Sequence, residues 1–208
     1  MTTQDQTRER IIRAARDLFI EQGIRKTSME DVAHGAGVSR VTVYRHYGDR
    51  KDLVRAVIMQ AADVFVRISA FVDNSAPTAP DVILGMFQTE LGKLNGVSLL
   101  GKFDELSRVY PDLFDEYRAI RKHALDSIFS RVLTTLKRGG LLRKGINETV
   151  LRHLFFDAIV NAVENPELAG LNMPREQVLG TIREVLLYGI IGPRAASGAK
   201  PGRSAQGA

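Results

Sequence analysis

Apolar positions recur along this chain at intervals of three and four residues, with no strict alternation long enough to build a sheet, so the pattern predicts an all-α protein. Ile11, Ile12, Ala15, Leu18 and Phe19 mark one face of a helix from Thr7 to Gln22, stopped by Gly23. Two short helical stretches follow between Thr27 and Tyr47. A fourth helix opens near Asp49 and runs through Leu53, Val57, Ile58, Ala61, Phe65 and Ile68 to a loop at residues 74–80 that carries two prolines. Further on, the period predicts a helix over 81–94, broken at Asn95-Gly96, and a shorter one through Leu99, Leu100, Phe103 and Leu106. Pro111 stands where a first-turn proline belongs and opens a 28-residue segment to Arg138, about 42 Å long at the helical rise. Asn147 caps the next helix, whose broad stripe of Val150, Leu151, Leu154, Phe155, Ala158, Ile159 and Ala162 lasts until Pro166. Pro174 begins the last, with Val178, Leu179, Ile182, Val185 and Leu186 on one face. That makes about nine helices. Residues 193–208 are small, polar and rich in Gly, Ala and Ser, the composition of a disordered tail. No internal repeat is present.

The stretch from Thr27 to Lys51, TSMEDVAHGAGVSRVTVYRHYGDRK, carries the most specific local chemistry. Thr27-x-x-Glu30 has the form of a capping box, in which each side chain satisfies a free N–H of the first helical turn. Ala33, Gly37 and Val43 fall at the small, turn and buried positions of a helix-turn-helix, because a small residue lets helices cross closely and glycine accepts positive φ. Ser39 is placed to cap the second helix, with Val38 and Val43 at hydrophobic-staple spacing. With Val43 and Tyr47 turned inward, Arg40, Val41, Thr42, Tyr44, Arg45 and His46 cover the outer face. Guanidinium forks, hydroxyls and an imidazole are groups that bond base edges and phosphates. The alternative is a small helical hairpin with a solvated face.

These residues resemble the DNA-binding domain of the tetracycline-repressor (TetR) family. The matching pieces are Ala14-Ala15, Leu18-Phe19 and Gly23 on the first helix, then Thr27-Ser28, Val32-Ala33, Gly37-Val38-Ser39 and Thr42-Val43-Tyr44-Arg45-His46-Tyr47. The family pattern closes with a phenylalanine and then a lysine opening the fourth helix; here those positions hold Tyr47 and Arg50. The resemblance implies that Ser28 and Met29 lie beside the DNA backbone. It implies that Arg40, Val41, Thr42 and Arg45 meet base edges, with the cap Ser39 beside them, and that Tyr44, His46, Arg50 and Lys51 hold phosphates. His46 has a competing use in closing the last helical carbonyls.

Charge sharpens this picture. Of the formal +5, residues 1–55 carry 11 Lys/Arg against 8 Asp/Glu, residues 193–208 carry Arg194, Lys200 and Arg203 with no acid, and residues 56–192 carry 15 against 16. A polyanion partner is expected at the ends and not across the middle. No cysteine occurs, which removes disulfides and thiolate sites and fits a reducing compartment. No apolar run approaches the roughly 20 residues of a bilayer span, and the N-terminus MTTQDQTRER lacks an apolar signal core, so the expectation is a cytoplasmic protein with no membrane partner.

The expected division is a helix-turn-helix domain at 1–55, a helical effector-binding and dimerisation domain at 56–192, and the tail. Met86, Phe87, Phe103, Phe114, Tyr117, Phe129, Phe155 and Phe156 are either plain core or the lining of a pocket for a small apolar effector, which the resemblance implies. Leu151, Leu154, Phe155, Ala158, Val178, Ile182, Val185 and Leu186 lie on stripes wider than one core needs. They serve either the monomer's own core or a homodimer interface, and the family pairs through its last two helices. The four histidines, at 34, 46, 123 and 153, show no zinc spacing. His123 with Asp126 and His153 with Asp157 are one turn apart, a spacing of ordinary hydrogen bonds. No nucleotide-binding or nucleophile motif occurs, so no catalytic residue, metal or cofactor is expected. The expected function is a regulator of transcription that grips a palindromic duplex as a dimer and is released by a small molecule; the alternative is a ligand-independent dimeric DNA-binding protein.

Overall fold

The computed structural model describes residues 3–74, 102–169, 171 and 173–190, and every regular element among them is helical. In chain order these are α1 (Thr3–Gln22), α2 (Met29–Ala36), α3 (Arg40–Tyr47), α4 (Arg50–Asn74), α5 (Phe103–Val109), α6 (Pro111–Arg138), α7 (Glu148–Glu164), α8 (Pro166–Ala169) and α9 (Arg175–Ile190). The all-α expectation holds. The helix predicted over 81–94, with Met86 and Phe87, and the tail from 193 lie outside the described residues.

α1 begins a turn earlier than Thr7, because its first turn is polar and carries no apolar period to read; Asp5 there suits the positive end of the helix. Its buried stripe is Ile11, Ala15 and Phe19, and Gly23 ends it at φ 95°, donating to the Phe19 carbonyl at 3.1 Å. The capping box of α2 sits one residue later than Thr27–Glu30. Thr27 is buried and its hydroxyl turns back to the Gly23 carbonyl at 2.9 Å. Ser28, in extended conformation, caps instead: its Oγ accepts the Asp31 N–H at 3.1 Å while the Asp31 carboxylate accepts the Ser28 N–H at 2.8 Å. Pro166, expected to end α7, opens the short α8 two residues beyond the α7 terminus.

α4 is the shared wall of the structure. It buries Leu53, Val54, Val57, Ile58, Ala62, Val64, Phe65, Ile68 and Val72, and packs against α1, α3 and, most extensively, α6. Facing it, α6 buries Leu113, Tyr117, Ala124, Leu125, Ile128, Phe129, Val132 and Leu136 at three- and four-residue spacing. α7 leans on α6 through Leu151 and Phe155, and two ion pairs tie the helices together, Lys137 with Glu148 and Arg152 with Asp126. Asp126 also accepts from Lys122 at 2.9 Å, so this carboxylate bridges cations and not the His123 one turn away. Partial burial pushes its pKa up, and the two cations outweigh that, holding it below the usual carboxylate range. No helix among the described residues is long and apolar enough to cross a membrane.

Ile58 is fully buried on the wall, whereas Val66 on the same helix is exposed. Ile58→Ala is expected to lower the unfolding free energy by about 2–5 kcal/mol in urea titrations followed by circular dichroism. Val66→Ala should change it by no more than about 0.5 kcal/mol.

Candidate nucleic-acid interface

α2 and α3 form the helix-turn-helix, and each terminus has a local cause. α2 ends at Gly37, in the left-handed region at φ 63°, with the Val38 N–H bonded to the Ala33 carbonyl at 3.0 Å and the Gly37 N–H to that of His34 at 3.1 Å. This paired closure satisfies two final carbonyls and needs positive φ, which glycine adopts without strain. Ser39 then caps α3, its Oγ accepting the Thr42 N–H at 3.1 Å. Inside, Val43 is fully buried and Tyr47 nearly so, the Tyr47 hydroxyl donating to the Arg8 carbonyl at 3.4 Å. Burial raises the Tyr47 phenol pKa, and contact with Arg8 opposes it.

Anchored by those two residues, α3 turns Arg40, Val41, Tyr44 and Arg45 to solvent. Val41 is 76% exposed, an apolar group of the kind that meets a thymine methyl. The Arg40 guanidinium lies 5.4 Å from the centroid of the Tyr44 ring and 3.4 Å from its hydroxyl, with Glu30 at 3.9 Å. Its pKa is raised, first by the bond to Tyr44, so it stays a cation throughout. Thr42 and His46 are half-buried at the edges, and Thr42 shares a 2.9 Å hydroxyl contact with Ser39. Ser28 is exposed at the start of α2, where its oxygen serves the cap.

Three positions in the expected contact set stand differently. The Met29 side chain is buried in the core, so position 29 can offer a phosphate only its main chain. Arg50 points away from the α3 face: it donates to the carbonyls of Thr27 and Arg25, each at 3.0 Å, to that of Ile24, and to the Tyr110 hydroxyl at 3.2 Å. A fork with several donors in a plane suits a turn full of carbonyls better than a single phosphate would use it. Lys51 pairs with Asp112 at 2.6 Å, which raises the lysine pKa and lowers that of the aspartate. One turn on, Arg55 pairs with Glu116. Glu105 and Tyr110, which reach the same turn from α5 and its end, carried no signal in local spacing, since they lie some 80 and 60 residues from their partners.

The aromatic set divides into two packed clusters. Phe103 stacks on Tyr117 at 4.6 Å with Phe114 at 6.0 Å, and Phe129 meets Phe155 at 5.5 Å with Phe156 beyond. Burial raises the Tyr117 phenol pKa. A separate cleft of about 550 Å³ lies between α6 and α7, its walls including Arg118, Lys122, Leu125, Arg152, His153 and Phe156. Of the aromatic set only Phe156 reaches it. The expected interface residues also divide. Leu151, Phe155 and Val178 are buried within the chain, so they serve its own core. Ala158 and Ile182 are half-buried, Leu154 and Val185 are 57% and 68% exposed, and the side chain of Leu186 lies outside the described residues.

The arrangement defines an all-α protein with an exposed recognition-type helix on a capped helix-turn-helix. Residues 11–57 match the family described as bacterial regulatory proteins, tetR family. An HTH-type transcriptional regulator of Staphylococcus aureus (strain USA300) is 38% identical over 61 residues, which span 29% of this chain and 33% of that regulator's length. Among solved structures, the fatty acid degradation regulator FadR from Bacillus halodurans is similar at TM-score 0.70 and 18% identity, covering 88% of this chain and 95% of its own. FadR from Bacillus subtilis in complex with stearoyl-CoA has TM-score 0.64 and 19% identity, covering 88% and 99%. The likeness to these structures is one of fold. The matched residues run through α1, α2 and α3 into the first turns of α4, so the likeness to the tetR family of bacterial regulatory proteins lies in the helix-turn-helix region.

Arg50→Lys should lower the unfolding free energy by about 2 kcal/mol in urea titration, because an ammonium cannot reach three carbonyls and a phenol at once. The Arg50 side chain is then a structural strut, and an unchanged midpoint would show otherwise.

Proposed function

We propose that this protein is a dimeric DNA-binding repressor of transcription, acting in the cytoplasm on a palindromic duplex and released by a small apolar molecule. The observation that carries the reading is the α3 face, where Arg40, Val41, Tyr44 and Arg45 stand outward over a core fixed by Val43 and Tyr47. A helix of this kind fits the major groove, where an arginine bonds guanine N7 and O6 and a valine meets a thymine methyl. Arg40, at the N-terminal end of α3, is assigned the base contact, and Tyr44 a phosphate. Residues 1–55 form the reader and 56–192 the effector and pairing domain.

One reader with so few base contacts is too unselective for a genome, and DNA symmetry favours two. Val150 and Leu154 on α7 and Val185 on α9 are exposed apolar groups on the helices through which a second copy would join. Two α3 helices then have to present themselves roughly 34–36 Å apart. An apolar effector is supported by the stearoyl-CoA bound to the Bacillus subtilis protein of like fold. A ligand that favours one separation of the readers over another supplies coupling of about 1–3 kcal/mol.

Selection of bound duplexes from a random pool should return a palindrome. Arg40→Ala is expected to relax preference at one position of each half-site, costing about 1–3 kcal/mol of discrimination. Tyr44→Phe should weaken selected and random duplexes alike, and equal loss on both for Arg40→Ala would refute the base assignment. Affinity should fall with salt at a log–log slope of about −0.9 per neutralised phosphate. Leu154→Glu combined with Val185→Glu should give a folded monomer in sedimentation velocity and abolish palindrome binding. A dimer that survives both changes would place the interface elsewhere.

A further inference from the structure

The turn between α1 and α2 is held from two sides by elements distant in sequence. From α5, the two carboxylate oxygens of Glu105 accept the N–H groups of Ile24 at 3.0 Å and Arg25 at 2.8 Å, one each. From α4, the guanidinium of Arg50 takes the carbonyls of Ile24, Arg25 and Thr27, while its remaining nitrogen reaches the Tyr110 hydroxyl at the end of α5. Ile24 and Arg25 are thus bonded at both their donors and their acceptors. Gly23 makes room for this: a Cβ there would lie 2.8 Å from a Glu105 oxygen, and its φ of 95° suits glycine.

The far face of α5 belongs to the helical body. Phe103 is buried and stacked on Tyr117 of α6, and Leu106 is fully buried. Seven residues with no side-chain cap cannot hold a helix by themselves, so packing and the Glu105 bonds fix where α5 sits. Phe103 and Glu105 are two residues apart, on nearly opposite sides of one turn, so a push on the ring carries the carboxylate with it.

We propose that Glu105, with Arg50 as its counterpart, is the positioning residue that couples the helical body to the helix-turn-helix: α5 clasps the 23–27 turn and fixes the pose of α1 to α3, and displacement of α5 at Phe103 releases it. The consequence for DNA rests on the function proposed above, whereas the clasp itself does not. Two readers held at one pose match a fixed half-site spacing. Readers released from the body spread over many poses, and only a fraction of those fit the duplex.

Glu105→Gln keeps the size of the side chain but turns an amide N–H toward one of the two backbone donors. In the full-length protein, hydrogen exchange should accelerate at the amides of Ile24 and Arg25, while those of Phe19, Val32 and Val43 keep their protection. Asp104→Asn, which removes the same charge from the same helix without touching the turn, should change none of them. On a duplex selected with the wild-type chain, Glu105→Gln should bind about 5- to 150-fold more weakly, the usual range of a coupling between sites, with Asp104→Asn unaffected. Unchanged exchange at residues 24 and 25, or loss of protection throughout α1 to α3, would overturn the clasp, the second because it marks a merely structural role. Faster local exchange with wild-type DNA affinity would overturn the coupling. Wild-type protein without duplex preference would sink the DNA function and the coupling with it, and the exchange result would still decide the clasp.

Discussion

Everything else in this molecule depends on α4 having two partners for one helix. Its stripe from Leu53 to Val72 is buried against α1 and α3 at one end and along α6 over the rest. Burying a single Val, Ile or Phe side chain is worth about 1.5–3 kcal/mol, so a continuous run of them makes separation of the helix-turn-helix from the body costly along the whole contact. The ion pairs Lys51–Asp112 and Arg55–Glu116 follow the same register, each pair one helical turn beyond the last. They are exposed and weak by themselves. Their value lies in direction, since they set α4 against α6 at one register and not a turn away.

The electrostatics of the reader follow from where the charges are spent. A count of basic residues in the first 55 suggests a broad cationic surface, but the structure commits several of them to partners within the chain. Arg50 closes a turn and Lys51 and Arg55 face carboxylates of α6, whereas Arg40 and Arg45 of α3 stay on its outward face, as do Arg8, Arg10 and Arg13 on α1. Arg40 packed over Tyr44 also arrives partly ordered, so less side-chain freedom is lost when it meets a partner.

Much of the fold was legible because helices announce themselves locally. Stripes at three- and four-residue spacing, Gly23, Gly37 and Pro111 gave α1, α4, α6 and the helix-turn-helix within a turn at each boundary. Errors came where two local solutions compete. Thr27 and Ser28 can each cap, and only the core decides, by taking the Thr27 methyl and leaving Ser28 extended. Met29 reads as a surface neighbour of DNA, whereas the fold buries its side chain in the core. Leu151 and Leu154 sit on one broad apolar stripe, and nothing local says that the first turns to α6 while the second stays out. Arg50 and Glu105 were beyond reach altogether, because their meeting at residues 24 and 25 is made by the tertiary path of the chain and not by spacing.

The brevity of α2 and α3, eight residues each, has a consequence of its own. Helices below about 12–15 residues barely persist in water without support, so neither can survive as a detached fragment. The recognition surface is therefore an all-or-none object that exists only while its neighbours are folded. Heat that melts the supporting helices abolishes the α3 face in the same step, and a truncated hairpin would inherit the letters of the motif without its shape.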